Sequence, residues 1–225
     1  RRGCDCQETD FPNLERLQID EVLKSHDRVQ GPPLGVLHGF GRSCWGAQAF
    51  MTPDEGAPVG FEAGIANRSP AIDRKNGFEQ GIAGHGNLEI VRSQTGDFTR
   101  AQGKVVMESF LKAEGGENIC ALYAHNDDMA VGAIQAIKEA GLKPGEDIKI
   151  VAIDAVPDAH KAIAAGEMNA TIELTPNMAG PALDALEAYL ASGAMPAKWI
   201  QTESKLFTSA DDNEAIFNMK KDLGY

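Results

Sequence analysis

From residue 64 onward, apolar and polar positions along the chain alternate between two periods. Short apolar runs of strand length occur at Leu88–Val91, Ile119–Ala124, Ile148–Ile153 and Ala170–Leu174. Between them lie longer stretches with apolar residues every three or four positions, the signature of helices with one buried face. These stretches predict helices over Ile72–Ala83, Thr99–Glu114, Asp128–Ala140, Asp158–Ala165 and Asn177–Leu190, and a last strand is expected at Ile200–Leu206. Gly115-Gly116, Gly141 with Pro144, and Gly166 supply the stops. Strands alternating with helices read as βαβ units, hence an α/β fold with a Rossmann-like parallel sheet flanked by helices. The run Ile148–Ile153, broken only by Lys149, suits a parallel strand buried on both faces.

Upstream of residue 64 this pattern fails. Phe11 to Leu23 forms at best a loosely amphipathic helix, and then Gly31-Pro-Pro33, Gly35, Gly39, Gly41, Gly46 and Pro53-Asp-Glu-Gly56 follow. The chain is therefore expected to divide into an atypical segment, 1–63, that is irregular, disordered or foreign, and a regular α/β region, 64–225. The opening Arg-Arg-Gly has no series resembling a signal peptide.

Composition narrows the function. The 225 residues are 43% hydrophobic and 24% charged, ordinary for a globular protein. The net charge of −12 and the lack of a basic stripe argue against nucleic acid, whose phosphates require clustered Lys and Arg. No apolar run approaches the ~18 residues of a membrane span. Cys4 and Cys6 with His26, His38 and Cys44 do not match zinc-ligand spacing, so no metal and no cofactor are expected. Cys120 reads as a lone, small buried residue in a strand. No nucleophile elbow, His-Glu-x-x-His or phosphate-binding loop occurs, and Gly84-His-Gly86 follows a helix rather than a strand. Binding is expected rather than catalysis.

The chemistry concentrates in Ala121-Leu-Tyr-Ala-His-Asn-Asp-Asp-Met-Ala-Val-Gly-Ala133, where an apolar strand delivers His125, Asn126 and Asp127 to its C-terminal end. Ile148-Lys-Ile-Val-Ala-Ile-Asp154 repeats the arrangement. In open α/β sheets the ligand crevice lies outside the carboxyl ends of the strands. An amide and a carboxylate there suit a polyhydroxylated ligand, because the carboxylate accepts several hydroxyls and the amide both donates and accepts.

The stretches Ser69-Pro-Ala-Ile-Asp-Arg-Lys-Asn-Gly-Phe78, Ser93-Gln-Thr-Gly-Asp-Phe-Thr-Arg100, Tyr123-Ala-His-Asn-Asp-Asp-Met129, Ala152-Ile-Asp-Ala-Val-Pro-Asp158 and Glu173-Leu-Thr-Pro-Asn-Met-Ala-Gly180 carry a resemblance. In order and spacing they resemble the periplasmic sugar-binding proteins of the ribose/galactose-binding family, most of all the galactofuranose-binding type. The resemblance implies a two-lobed fold that closes on a monosaccharide, acts as a monomer, resides in the periplasm and serves an ABC importer's permease. It implies that Arg74 reaches the sugar, Phe98 packs on its apolar face, and Asn126 and Asp154 bind its hydroxyls. Helix capping is the competing role for Asn126 and Asp154. Leu174 stands where the family often has Gln or Asn; Glu173 and Asn177 are possible substitutes. Asp127 and Asp128 read as helix N-terminal charges.

The same family carries a full N-terminal lobe, and nothing in residues 1–63 resembles it. The helix at 177–192, which normally packs on that lobe, is expected to lack a partner for Ala182, Leu183, Leu186 and Leu190. A cleft missing one wall is expected to bind its sugar weakly. The alternative is the sensor domain of a lactose-repressor-like regulator, disfavoured because the acidic, Gly- and Pro-rich segment does not suit a helix-turn-helix. A phosphoacceptor centred on Asp154 lacks the lysine that reading requires. A truncated or partly out-of-frame coding sequence accounts for residues 1–63. Translating the upstream DNA in its other two frames is then expected to recover family-like sequence; purely non-coding sequence there rejects the frameshift.

Overall fold

The computed structural model describes residues 57–63, 69–83, 88–197, 200 and 202–224, with 57–63 and 69–70 described by their backbone. In chain order these form β1 (Ala57–Ala63), α1 (Ser69–Ile82), β2 (Leu88–Thr95), α2 (Arg100–Glu114), β3 (Ala121–Ala124), α3 (Asp127–Glu139), β4 (Lys149–Asp154), α4 (Pro157–Ala164), β5 (Ala170–Glu173), α5 (Ala179–Ser192), β6 (Leu206–Thr208) and α6 (Asn213–Leu223). One sheet runs in the order β2-β1-β3-β4-β5-β6. All its pairings are parallel except β5–β6. The expected α/β architecture is therefore present, with an antiparallel edge added.

Two apolar layers flank the sheet. On one face Leu122, Ala124, Ile150 and Ala152 meet α2, α3 and α4 through residues such as Phe110, Met129, Ile137 and Ile163. On the other, Tyr123, Val151, Ile153 and Ile172 meet Phe78 of α1. The Phe78 and Tyr123 rings stack 4.4 Å apart at 6°. Strands β3 and β4 are thus covered on both sides, which is why their sequences read as apolar runs rather than alternations.

Helices α2 and α3 pack closely because glycines sit at their crossing. A methyl group on Gly132 would overlap the carbonyl oxygen of Arg100, and one on Gly103 would overlap the backbone of Met129. Thr99 caps α2 by accepting from the Gln102 N–H at 3.3 Å.

Several expectations are corrected. Strand β1 lies inside the sheet between β2 and β3, so the sheet starts ahead of residue 64. Pro58 and Gly60 interrupt the β pattern there, and the β1–β2 register shifts between Val59 and Gly60. Pairing on both sides, rather than local propensity, holds that strand. The last strand is Leu206–Thr208, not Ile200–Leu206. Helix α6 was not anticipated: its buried residues are Asn213 and Lys220, so no apolar stripe announces it. Helix α5 begins at Ala179, leaving Asn177 in the preceding turn. Cys120 is buried as expected but is disulfide-bonded rather than a lone thiol. Cys4, Cys6, His26, His38 and Cys44 lie outside the described residues.

No residue of α5 is buried; Leu183, Leu186 and Leu190 are 59%, 50% and 72% exposed. Among the described residues no helix is long and apolar enough to cross a membrane.

The α2–α3 crossing predicts a sharp response to Gly132→Ala. Helix propensity favours alanine by about 1 kcal/mol. Overlap with a backbone carbonyl outweighs that gain, for a net loss of about 2 kcal/mol. A lowered urea midpoint with unchanged slope is expected; an unchanged or raised midpoint contradicts the close approach.

Candidate functional site

Where the strand order reverses, between β1 and β3, an open sheet leaves a crevice at its carboxyl edge. The four principal expected residues converge along that edge. Arg74, on α1 and 3% exposed, donates through Nη1 to the backbone oxygen of His125. Its Nη2 lies 3.4 Å from Asp154 Oδ1 at the end of β4. The same guanidinium sits 5.8 Å from the centre of the Phe98 ring, in cation–π range. Asn126, at the end of β3, donates through Nδ2 to the Phe98 backbone oxygen at 3.2 Å. The cluster is thus a continuous set: cation, carboxylate, aromatic ring and amide.

The cap alternative separates the two strand-end residues. Asn126 is the N-cap of α3, its Oδ1 accepting from the Met129 N–H at 3.1 Å. After these bonds the amide retains one N–H and one lone pair. Asp154 caps nothing, since α4 has Val156 as its N-cap. Only its Oδ1 is engaged among the described residues, leaving Oδ2 to accept other donors.

Backbone strain gathers here. Among the described residues, the non-glycine positions with positive φ are Asp97 (51°), Phe98 (60°), Asp154 (125°) and Ala155 (58°). They lie in the β2–α2 turn and at the end of β4 with the residue that follows it, and each costs on the order of 1–3 kcal/mol. Such strain persists only where surrounding contacts over-determine the conformation.

Burial sets the electrostatics. It pushes the Asp154 carboxyl up to about 6, against the opposing pull of Arg74, with Asp128 adding to the rise. Burial also lowers His125 to about 3, helped by Arg74 and Lys75. His125 is fully buried, its ring edge-on to Tyr123 at 5.5 Å, so it is packed rather than presented to a ligand.

The possible substitutes fare differently. Glu173 lies beside Asp154 in the β4–β5 register, but its Oε1 pairs with buried Lys220 of α6 at 3.3 Å. Asn177 is exposed in a turn, its backbone N–H donating to Thr175 Oγ1. Neither joins the Arg74–Phe98–Asn126–Asp154 set. Asp128 keeps its surface position in the first turn of α3 and pairs with Arg100, which also reaches Asp158. Asp127 also lies in the first turn of α3, as expected, but is fully buried and accepts from Thr171 Oγ1 at 2.7 Å and from the Val156 N–H at 2.9 Å. Thr171 carried no signal in the sequence; its β-strand position looks like ordinary core. No group of three or more His, Cys, Asp or Glu suited to a metal occurs among the described residues.

The profile of the periplasmic binding protein domain matches residues 47–194. The chain belongs to that family. It is 58% identical over 163 residues to the galactofuranose-binding protein YtfQ of Escherichia coli (strain K12), covering 72% of this chain and 51% of that protein. The ribose import binding protein RbsB of the same organism is 39% identical over 126 residues, covering 56% and 40%. Among solved structures, a galactofuranose binding protein superposes with TM-score 0.77 at 50% identity, covering 83% of this chain and 64% of that one. The binding component of an arabinose transporter from Shewanella sp. ANA-3, bound to L-arabinofuranose, gives 0.76 at 46% identity, covering 82% and 62%. The chain spans about half the length of the curated relatives it matches.

The raised Asp154 carboxyl fixes the sign of a pH effect. The folded state keeps this proton up to about pH 6, whereas an unfolded Asp releases it near ~4. The native state therefore binds more protons across that window, and this group makes stability fall as pH rises through it. Asp154→Asn removes the effect. The variant is expected to gain on the wild type by up to about 1.4 kcal/mol per pH unit between pH ~4 and ~6, with a constant difference above. Urea unfolding of both proteins at several pH values measures this; a pH-independent difference refutes the raised value.

Proposed function

We propose that this chain is a solute-binding component of an ABC-type sugar importer and binds a furanose-form monosaccharide non-covalently in the periplasm. The observation that carries the reading is the convergence of Arg74, Phe98, Asn126 and Asp154 in a chain 58% identical over 163 residues to a galactofuranose-binding protein. The solved relative bound to L-arabinofuranose supports a five-membered ring as the ligand form.

Each residue has a role that its chemistry allows. The open Asp154 oxygen accepts from sugar hydroxyls. The Arg74 guanidinium, held by the His125 carbonyl and Asp154 among its partners, presents a planar fork of donors of the kind that suits ring and hydroxyl oxygens. The Phe98 ring covers an apolar C–H face of the sugar. The residual N–H and lone pair of Asn126 read one further hydroxyl. A sugar lacking one of these hydroxyls leaves a polar group buried and unmatched, which is the source of selectivity. Closure of a second lobe over this edge would complete the site, a hinge motion followed by docking of the monomer on a membrane permease. The exposed apolar face of α5 supports a position for that second lobe.

Thermal unfolding of the chain against galactofuranosides, arabinose, ribose and galactose tests the proposal. A sugar at a hundred times its dissociation constant adds about 2.7 kcal/mol of stability. At this chain length that amounts to a rise of roughly 5–10 °C. The expected result is a shift with a furanose-forming sugar, weakened roughly thirtyfold in affinity by Asp154→Asn. A cooperative transition that no sugar moves rejects binding by this chain.

A further inference from the structure

We infer that Asp127 and Thr171, which lie outside the ligand-facing set, form a clamp that positions the Asp154 carboxylate for binding. The inference rests on the proposed sugar site and adds two positioning residues to it. Asp154 and Ala155 hold positive φ values of 125° and 58°, conformations that L-residues avoid unless held. The holding groups are side chains from the neighbouring strand β5 and from the first residue of α3. Thr171 Oγ1 on β5 accepts the Ala155 N–H at 3.1 Å and donates to Asp127 Oδ1 at 2.7 Å. Asp127 Oδ2, just past the end of β3, accepts the Val156 N–H at 2.9 Å. Both peptide N–H groups that follow Asp154 are therefore bound by this pair.

The pair is buried without remainder: Asp127 and Thr171 are both 0% exposed. Burial pushes the Asp127 carboxyl well above its ordinary range, and the two donors, one to each oxygen, oppose that rise without cancelling it. Val156 is the N-cap of α4 but has no side-chain acceptor, and Pro157 follows as the first helical residue. Asp127, from the first turn of α3, accepts the N–H of Val156 itself, the bond that the side chain at N3 makes in a capping box. The bonds reach the two residues after Asp154 and none reaches Asp154 itself. Their effect on the site is therefore through the turn: they fix the direction in which the carboxylate leaves β4, and with it the 3.4 Å approach to Arg74. A purely structural tie would stabilise the sheet and leave the behaviour of Asp154 unchanged, which separates the two roles experimentally.

The test uses the whole chain with Thr171→Val, which keeps shape and removes the hydroxyl, and Thr171→Ser, which restores it. The first readout needs no ligand: the Asp154 side-chain carboxyl is titrated by carbon-13 NMR. Thr171→Val is expected to return it from near 6 towards the ordinary carboxylate range as the turn relaxes, and Thr171→Ser to leave it raised. An unchanged titration in a folded Thr171→Val protein overturns the clamp. The second readout is calorimetric binding of a methyl galactofuranoside in a double-mutant cycle. Thr171→Val is expected to weaken binding about tenfold, and Asp154→Asn to cost less in that background than in the wild type. Losses that simply add overturn the clamp. If wild-type protein binds no sugar, the proposed function falls while the titration still decides the positioning role. If Thr171→Val does not fold, Asp127→Asn, which sets an amide N–H₂ against a donor, takes its place in both measurements.

Discussion

A parallel sheet covered on both faces must turn every strand into a helix at the same edge. That constraint governs the rest of this molecule. Strands β3 and β4 have no exposed flank on which to place polar groups, so, Lys149 at the opening of β4 apart, their charged and amide residues emerge where the strands stop. The turns there must satisfy peptide groups that neither strand nor helix pairs, and they must do so in little space. The positive-φ residues Asp97, Phe98, Asp154 and Ala155 and the buried side chains Asp127, His125 and Asn126 are the local consequences. The same crowding holds the donors and acceptors of this edge in fixed directions, the kind of preorganisation that leaves less ordering for a ligand to offset.

Charge burial is arranged around one cation. Arg74 is almost wholly enclosed, and a guanidinium cannot shed its proton to relieve that cost. It is compensated by a backbone carbonyl, a carboxylate and an aromatic face from three different elements. Each partner is a strand-end group, so α1 is tied to the site edge by its charge as well as by Phe78 beneath it. Arg74 and burial pull Asp154 in opposite senses, and burial prevails. His125 yields its carbonyl to Arg74 while its ring remains neutral in the core. Glu173, one strand further, is drawn instead into a pair with Lys220. Two neighbouring carboxylates in register therefore serve different cations, which removes Glu173 from the cluster although its position in the sequence suits it equally well.

Helix α5 obeys a different balance. Its sequence is apolar enough to belong against another surface, yet Leu183, Leu186 and Leu190 are exposed, and an apolar groove runs along Ala182, Leu186, Tyr189, Met195 and Ile200. The chain spans about half the length of the relatives it matches. Among the described residues nothing buries that face of α5.

Much of the fold, and the residues of the candidate site, could be picked out in the sequence. The apolar runs at Ile119–Ala124 and Ile148–Ile153 and the amphipathic stretch at Thr99–Glu114 specify their elements because burial imposes its period on the chain. Asn126 and Asp154 could be named because strand ends are where such a sheet places its chemistry, whereas Arg74, on a helix, and Phe98, in a turn, were indicated only by the family resemblance. Tertiary structure decided the rest. Strand β1 exists through pairing on both flanks despite Pro58 and Gly60, and α6 through packing with buried Lys220 and Asn213, neither of which has a local signature. The roles of Asp127, Thr171 and Glu173 depended on which strands become neighbours: Thr171 meets Asp127 across 44 positions of sequence, and Glu173 meets Lys220 across 47. Period and residue type are local properties that a chain carries with it, whereas the partner of a buried polar group is set by strand order, which appears only when the sheet assembles.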